Sequence, residues 1–286
     1  MEFNTAGGGK LNQYTELIKA ALAEDLAGGE DVTSMATLTG NEKVVAEFIN
    51  RKPGVIAGVG VVQEVLEYLG ITDIEILVGD GSKVEAGTVI LRARGNTRAL
   101  LLAERTALNF LSHLSGIATL TRAWVDAVAG TSTKIRDTRK TTPGLRKLEK
   151  YAVLMGGGTN HRLSLSQSAL IKDNHVEAAG GVTQAFNSVR GKYPDIEIEI
   201  EVDTFEQLNE ALSLNPDLIL LDNMSPEQCQ QAVSLSGGKV KLEASGGLTL
   251  ENAKKYAETG VDFLAVGALT HSAPVLDIGL DLKAEI

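Results

Sequence analysis

The chain has 286 residues, 43% of them apolar, which is enough for one large domain or two modest ones with a real core. Its 27 Lys plus Arg against 37 Asp plus Glu give a net charge of −10, which argues against a general binder of nucleic acid or anionic membrane. A single cysteine, Cys229, excludes an internal disulfide framework, a CxxC redox pair and a Cys-rich zinc site; it is expected as a small packed residue of a helix.

Residues 1–10 (MEFNTAGGGK) read as a flexible leader rather than a secretory signal. The GGGK in it is not a P-loop, because the first spaced glycine is missing and Leu11 follows the lysine. No stretch reaches the ~18 apolar residues of a membrane span, and a cytoplasmic setting is expected. Helical spacing over 14–25 stops at Gly28–Gly29. Strands are expected at 44–49, 75–78 and 88–94 between Gly-rich turns, with a helix at 61–69, an α+β pattern. A helical stretch then covers 98–128, with Leu101, Leu108, Leu111 and Leu114 on its apolar face and a break expected at Ser115–Gly116. Arg105, Asn109 and His113 recur at i, i+4 and i+8 and form a polar stripe, which amphipathicity alone reads as solvated.

From Lys134 the pattern alternates. Strands are expected at 134–137, 169–172, 196–202, 218–222, 240–244 and 263–266, and helices at 145–155, 182–192, 205–213, 226–234 and 250–259. The later strand centres recur roughly every 21–23 residues, the length of one βα unit, so the sheet should be parallel. Right-handed crossovers allow a barrel or a doubly wound sheet. Six strands are too few for a complete eight-stranded barrel, and 156–166 leaves room for one more irregular strand, so an incomplete barrel is expected.

Charge is segregated along the chain. Between Lys134 and Lys172 nine basic residues face only Asp137 and Glu149, which suggests an anion site. Arg146, Lys147 and Lys150 are expected on a solvated helix face. Most apolar strands end on charge: Asp137 with Arg139 and Lys140, then Lys172, Glu201 with Asp203, Asp222, and Glu243 with Ser245. In a parallel βα barrel that face carries the active site. Ser245-Gly246-Gly247 and Gly267-Ala268-Leu269 follow the last two strands, where backbone amides can cradle a phosphate. Acidic strand ends suit ribose hydroxyls and Mg²⁺, and the cations suit carboxylates or pyrophosphate. His113, His161, His175 and His271 are too dispersed for a metal site to be read from sequence. These features fit a phosphorylated sugar meeting a small polyanionic acid. They also leave open a Schiff-base lysine at Lys140 or Lys172, or a phosphometabolite-binding protein without chemistry.

Longer motifs narrow the choice. AERTALNFLSHLSGIAT at 103–119, KIRDTRKTTPGLR at 134–146, GGGTNHR at 156–162 and ALIKDNH at 169–175 stand in order with EIEVD, LILLDN, EASGG and AVGALTHS. In these the chain resembles the quinolinate phosphoribosyltransferases, of the type II phosphoribosyltransferases. The resemblance implies an α/β fold: an N-terminal α/β sandwich domain over 11–108 joined by a tail at 273–286, and an open, incomplete βα barrel over 109–272. It implies that quinolinate and phosphoribosyl pyrophosphate give nicotinate mononucleotide, pyrophosphate and CO₂ with Mg²⁺, a step of de novo NAD synthesis. A homodimer or an assembly of dimers with shared sites is implied, without nucleic acid or membrane partners. By position, Thr138, Arg139, Lys140, His161, Arg162 and Lys172 would surround quinolinate and pyrophosphate, and Arg105 would reach across the dimer. Glu201 and Asp222 would hold the ribose and the metal, directly or through water. Ser245, Gly246, Gly247, Gly267, Ala268 and His271 would hold the 5′-phosphate. The catalytic set would be Lys140, Lys172, Glu201 and Asp222. Nicotinate is the competing acid, and the number of cations favours the dicarboxylate.

Overall fold

The computed structural model describes residues 14–284; the leader expected at 1–10 lies outside them. The chain divides into two compact units, one ending at Thr119 and resuming at Pro274, the other running from Leu120 to Ala273.

In the first unit, α1 (Thr15–Leu26) and α2 (Val32–Thr37) precede β1 (Lys43–Asn50) and the two-residue β2 (Gly54–Val55). Next come α3 (Val59–Tyr68), β3 (Asp73–Ile76), β4 (Lys83–Val84), β5 (Val89–Asn96) and α4 (Thr97–Ala127). The main sheet has the order β12-β1-β5-β3 and is antiparallel throughout; β12 (Ile278–Ala284) comes last in the chain, after the whole second unit. Strand alternation explains the layers. Ala46 and Phe48 of β1 enter a core with Ile18 and Leu22 of α1, Val62 and Leu66 of α3, and Leu100 and Leu111 of α4. Glu47, between them, faces the other way and pairs with Arg92 and Lys283. Contrary to the sequence expectation, α4 runs unbroken through Ser115–Gly116. Gly116 is there for space: a Cβ on it would lie 2.1 Å from the Pro274 carbonyl oxygen.

The second unit is a six-stranded parallel sheet of order β6-β11-β10-β9-β8-β7. Its elements are β6 (Lys134–Arg136), α5 (Arg146–Met155), β7 (Ala169–Ile171), α6 (Asp173–Ala179), α7 (Val182–Lys192) and β8 (Ile198–Val202). They continue with α8 (Phe205–Leu214), β9 (Leu218–Asp222), α9 (Pro226–Ser236), β10 (Lys241–Ser245), α10 (Leu250–Ala257), β11 (Phe263–Ala265) and α11 (Ala268–His271). The chain crosses from one edge, β6, to the other, β7, and then returns strand by strand, with no ladder between β6 and β7. The extra strand allowed for at 156–166 is a single parallel bridge from Thr159 to Arg136. His161 nevertheless bonds Asp137 beyond β6 through its backbone N–H (2.8 Å) and Glu199 of β8 through its ring (2.6 Å). A flat sheet could not bring those edges together. The sheet is curled into an open barrel.

Apolar side chains of β8 and β9, such as Ile198, Ile200, Ile219 and Leu221, are buried with Leu208, Ala211, Cys229 and Ala232 of the surrounding helices. Cys229 is a free, fully buried residue as expected, and burial pushes its thiol up to about 11. Among the described residues no helix is long and apolar enough to cross a membrane.

Candidate active site

The expected residues Thr138, Arg139, Lys140, His161, Arg162, Lys172, Glu201, Asp222, Ser245, Gly246, Gly247, Gly267, Ala268 and His271 line one cavity of about 800 Å³ at the carboxyl ends of the barrel strands. Arg105 is on α4 in the first unit and is not among them; its side chain is 62% exposed and 4.0 Å from Glu104. Asp203 of the expected strand-end ring is also outside; it is exposed at the start of α8.

One end of the cavity is cationic. Arg162 donates Nη1 to the Ser168 carbonyl (2.7 Å), but its Nε and that of Arg139 are buried without a hydrogen-bond partner. Burial first, and then the charge of Arg139, lowers the Arg162 guanidinium below its ordinary range. Two such groups with donors to spare call for an anion. Lys140 lies nearby on the loop after β6, where its N–H bonds the Thr138 hydroxyl (3.0 Å) and its carbonyl accepts from Thr270 (2.7 Å).

Across the sheet, Lys172 Nζ donates to Glu201 at 2.6 Å. Asp222 takes a hydrogen bond from the Asn223 amide at 2.7 Å. Burial and then the neighbouring Glu201 push its carboxyl up, while Lys172 opposes them. These carboxylates are the oxygen donors that suit a hard divalent cation.

The last two strands end in glycine loops for different physical reasons. Gly246 has φ +87°, and a Cβ there would lie 2.1 Å from Asn223 Oδ1. Gly267 has an ordinary φ of −64°, yet its Cβ would sit 3.1 Å from Lys140 Cδ and 3.2 Å from His271 Nε2. The second loop is glycine because two cationic-capable side chains crowd it.

Beneath the cavity the barrel interior is ionic. Arg136 pairs with Glu243 (2.8 Å) and lies over the Phe263 ring, 4.4 Å from its centroid. His161, Glu199 and Glu243 bring ligand-type atoms within 4.8 Å of one another. Arg136 offsets the charge of Glu243, and the His161 ring shares a hydrogen bond with Glu199. Burial pushes both carboxyls up to about 7 and the imidazole down to about 4. Glu243 and Asp137 of the expected strand-end ring do line the cavity, and each also holds an ion pair, with Arg136 and Lys150 respectively.

The helix expected to be solvated is a second correction. Lys150 is fully buried; its ammonium donates to the Asp137 carboxylate and to the His161 carbonyl (2.8 Å). Burial pushes Asp137 up and Lys150 down from their ordinary values, each opposed by the other's charge. Arg146 is half-buried and donates to Thr141 (2.9 Å) and the Leu163 carbonyl (3.2 Å), joining the two loops that carry Arg139 and Arg162. Of the three only Lys147 is exposed. Sequence reasoning missed Asn223 and Glu199. The sole signal for Glu199 was the alternation Ile-Glu-Ile-Glu-Val in β8, which puts it on the same face as Glu201.

Comparison with known proteins decides the family. The quinolinate phosphoribosyl transferase N-terminal domain profile matches residues 31–115, and the C-terminal domain profile matches 117–281. The chain belongs to the quinolinate phosphoribosyltransferase family. Within that family it is 54% identical to the nicotinate-nucleotide pyrophosphorylase [carboxylating] of Mycobacterium leprae, over 93% of this chain and 96% of the relative. It is 39% identical to the chloroplastic enzyme of that name from Arabidopsis thaliana, covering 94% and 83%. Among solved structures, NadC from Streptococcus pyogenes has a TM-score of 0.93 at 37% identity, covering 98% of this chain and all (100%) of that one. The nicotinate-nucleotide pyrophosphorylase of Ehrlichia chaffeensis has a TM-score of 0.91 at 41% identity, covering 95% and 99%. The α/β architecture expected from sequence, an N-terminal sheet unit and an open parallel barrel, is the architecture of this family's solved members.

Proposed function

We propose that this chain transfers the phosphoribosyl group of phosphoribosyl pyrophosphate to quinolinate with decarboxylation, giving nicotinate mononucleotide, pyrophosphate and CO₂ for NAD synthesis. The observation that carries this reading is the Arg139–Arg162 pair: two mutually repelling guanidiniums, each with a spare buried Nε, in a cavity that also holds carboxylates and glycine loops. A ring with two carboxylates answers that charge, with His161 and Lys172 beside it.

In this mechanism the ring nitrogen forms a bond to C1′ of the ribose as the bond to pyrophosphate breaks, and pyrophosphate leaves with the electron pair. In this reading Glu201 and Asp222 lie where positive character develops on the ribose, and Lys140 receives the departing anion. The bond from ring carbon 2 to its carboxylate then breaks and CO₂ leaves; that ring carbon keeps the electron pair next to the cationic nitrogen and takes a proton from solvent. Holding the two substrates in register supplies much of the acceleration. The 5′-phosphate is assigned to Ser245–Gly247 and Gly267–Ala268, with His271 at their edge. Glu201 and Asp222 would hold Mg²⁺, directly or through water, and the ion when bound would offset pyrophosphate charge. The raised Asp222 carboxyl, pressed by burial and by Glu201, supports that fit.

The same reading makes the chain a homodimer in which Arg105, exposed on α4 and 4.0 Å from Glu104, completes the partner's cavity. It also places the chain in the cytoplasm, where a lone free thiol such as Cys229 stays reduced. Pyrophosphate and CO₂ release measured with quinolinate and, separately, with nicotinate tests the reaction. Both products should form in equal amounts from quinolinate; equal turnover of nicotinate without CO₂ overturns the assignment.

A further inference from the structure

Glu199 is a carboxyl placed where an apolar residue would pack. It sits in the middle of β8, 4% exposed, between Ile198 and Ile200. Burying a carboxyl is unfavourable unless it is paired or hydrogen-bonded. Yet Glu199 Oε1 has no hydrogen-bond partner, and Oε2 is 2.6 Å from His161 Nε2. Arg136, the strong cation of the barrel interior, gives its ion pair to Glu243 instead. Among the described residues, the one hydrogen bond of the Glu199 side chain is therefore with the His161 ring.

His161 is otherwise fixed only through its backbone, its N–H on Asp137 (2.8 Å) and its carbonyl under Lys150 (2.8 Å). Those bonds place the backbone and do not themselves orient the ring. Ring nitrogens are distinct, and the partner of one decides what the other presents. With the Glu199 carboxyl donating to Nε2, the ring proton sits on Nδ1, which has no hydrogen bond to protein among the described residues and is the donor left for a ligand carboxylate beside Arg162.

We propose that Glu199 is a positioning residue for substrate-acid recognition: it fixes the orientation of the His161 ring so that Nδ1 meets the dicarboxylate. The proposal rests on the reading of quinolinate as the acid, and it makes Glu199 act through His161 alone.

The test uses the full chain and the variants Glu199→Leu, Glu199→Gln, His161→Ala and His161→Ala/Glu199→Leu, with steady-state kinetics in both substrates. Leucine keeps the apolar volume of β8 and is expected to fold; glutamine keeps a hydrogen bond to the ring. Glu199→Leu should raise KM for quinolinate about tenfold or more, with KM for phosphoribosyl pyrophosphate within about twofold. Glu199→Gln should return KM to within about threefold of wild type. The double variant should match His161→Ala. Losses that multiply in the double variant, or KM values for both substrates rising together, overturn the proposal by showing a general structural role. One measurement needs no substrate: ¹⁵N resonances of the His161 ring should move in Glu199→Leu and far less in Glu199→Gln. Unmoved resonances refute the contact. If the wild type fails to use quinolinate while the resonances move as expected, the substrate assignment fails and the positioning of His161 stands.

Discussion

Replacing Lys150 by Met removes one ammonium from a site with no solvent to take its place. Both Lys150 and Asp137 are 0% exposed in their side chains. Methionine fills the volume of the lysine stem, so the loss is electrostatic rather than a cavity. Removing one partner of a buried pair is destabilising by about 3–5 kcal/mol. The His161 carbonyl also loses a donor, worth about 1 kcal/mol. Asp137 retains the His161 N–H (2.8 Å) and the Asn160 amide nitrogen turned toward it (2.6 Å), and it can take up a proton, so the loss should fall near the lower bound. About 3 kcal/mol corresponds to roughly 6–12 °C in Tm for a unit of this size. Thermal unfolding followed by circular dichroism at neutral pH measures it. The variant Asp137→Asn/Lys150→Met, with no stranded charge, should recover at least half the loss. Lys147→Ala on the exposed side of α5 should stay within about 0.5 kcal/mol of wild type. A Lys150→Met shift as small as that of Lys147→Ala would refute the reasoning.

Three further outcomes follow from the cavity and its floor. Glu243, pushed up to about 7 by burial and then by Glu199, binds its proton more tightly folded than unfolded, so its contribution to stability is present below its ordinary pKa and fades as pH rises through about 7. The advantage of wild type over Glu243→Gln in urea unfolding should shrink from pH 5 to pH 8 by at most about 3 kcal/mol, and a difference that grows contradicts that sign. Gly246→Ala, at φ +87° and against Asn223, should raise KM for phosphoribosyl pyrophosphate about tenfold or more and lower Tm, whereas Gly267→Ala should raise KM severalfold with Tm nearly unchanged. Equal Tm losses would deny the different origins of the two loops. Arg105→Ala and Lys172→Ala homodimers should each be nearly inactive, and their purified heterodimer should regain about half of wild-type activity, since one of its two sites would be intact. A heterodimer as inactive as its parents rules out sharing of Arg105.

Sequence spacing found the repeat of the barrel because each βα unit carries its own apolar periodicity, and charge at strand ends survives without tertiary information. It failed where a side chain's environment depends on a distant segment. In α5, Arg146, Lys147 and Lys150 look alike as basic residues of one amphipathic helix. Only the return of the chain at 160–163 buries two of them. Gly116 reads as a break because glycine is about 1 kcal/mol worse than alanine in a helix. The approach of Pro274, 158 positions later, is what reverses that inference. Glu199 was not legible because its partner His161 lies 38 positions earlier on a separate loop, and only the curl of the sheet brings the two together. Arg105 remains an exposed arginine in a single chain, and the sequence pattern for a solvated stripe describes it correctly at that level.

The edge strand β12 has a consequence for how the protein is made. It pairs with β1 from Val44 to Asn50, and Arg51 meets Asp281 across 230 positions of chain. At about 5–20 residues per second, roughly 10–50 s of synthesis separate the two partners. The barrel unit, begun later, has all its strands available before β1 has its neighbour. The usual order, with the N-terminal part finishing first, is therefore inverted. During that interval the open edge of β1 is a template for any extended chain, most readily the same strand on another ribosome of the same message. The charges flanking it, Glu47 against Arg92 and later Lys283, make mispairing of identical strands bring like carboxylates together. Nascent-chain solubility should therefore depend on Glu47 more than the stability of the finished fold does.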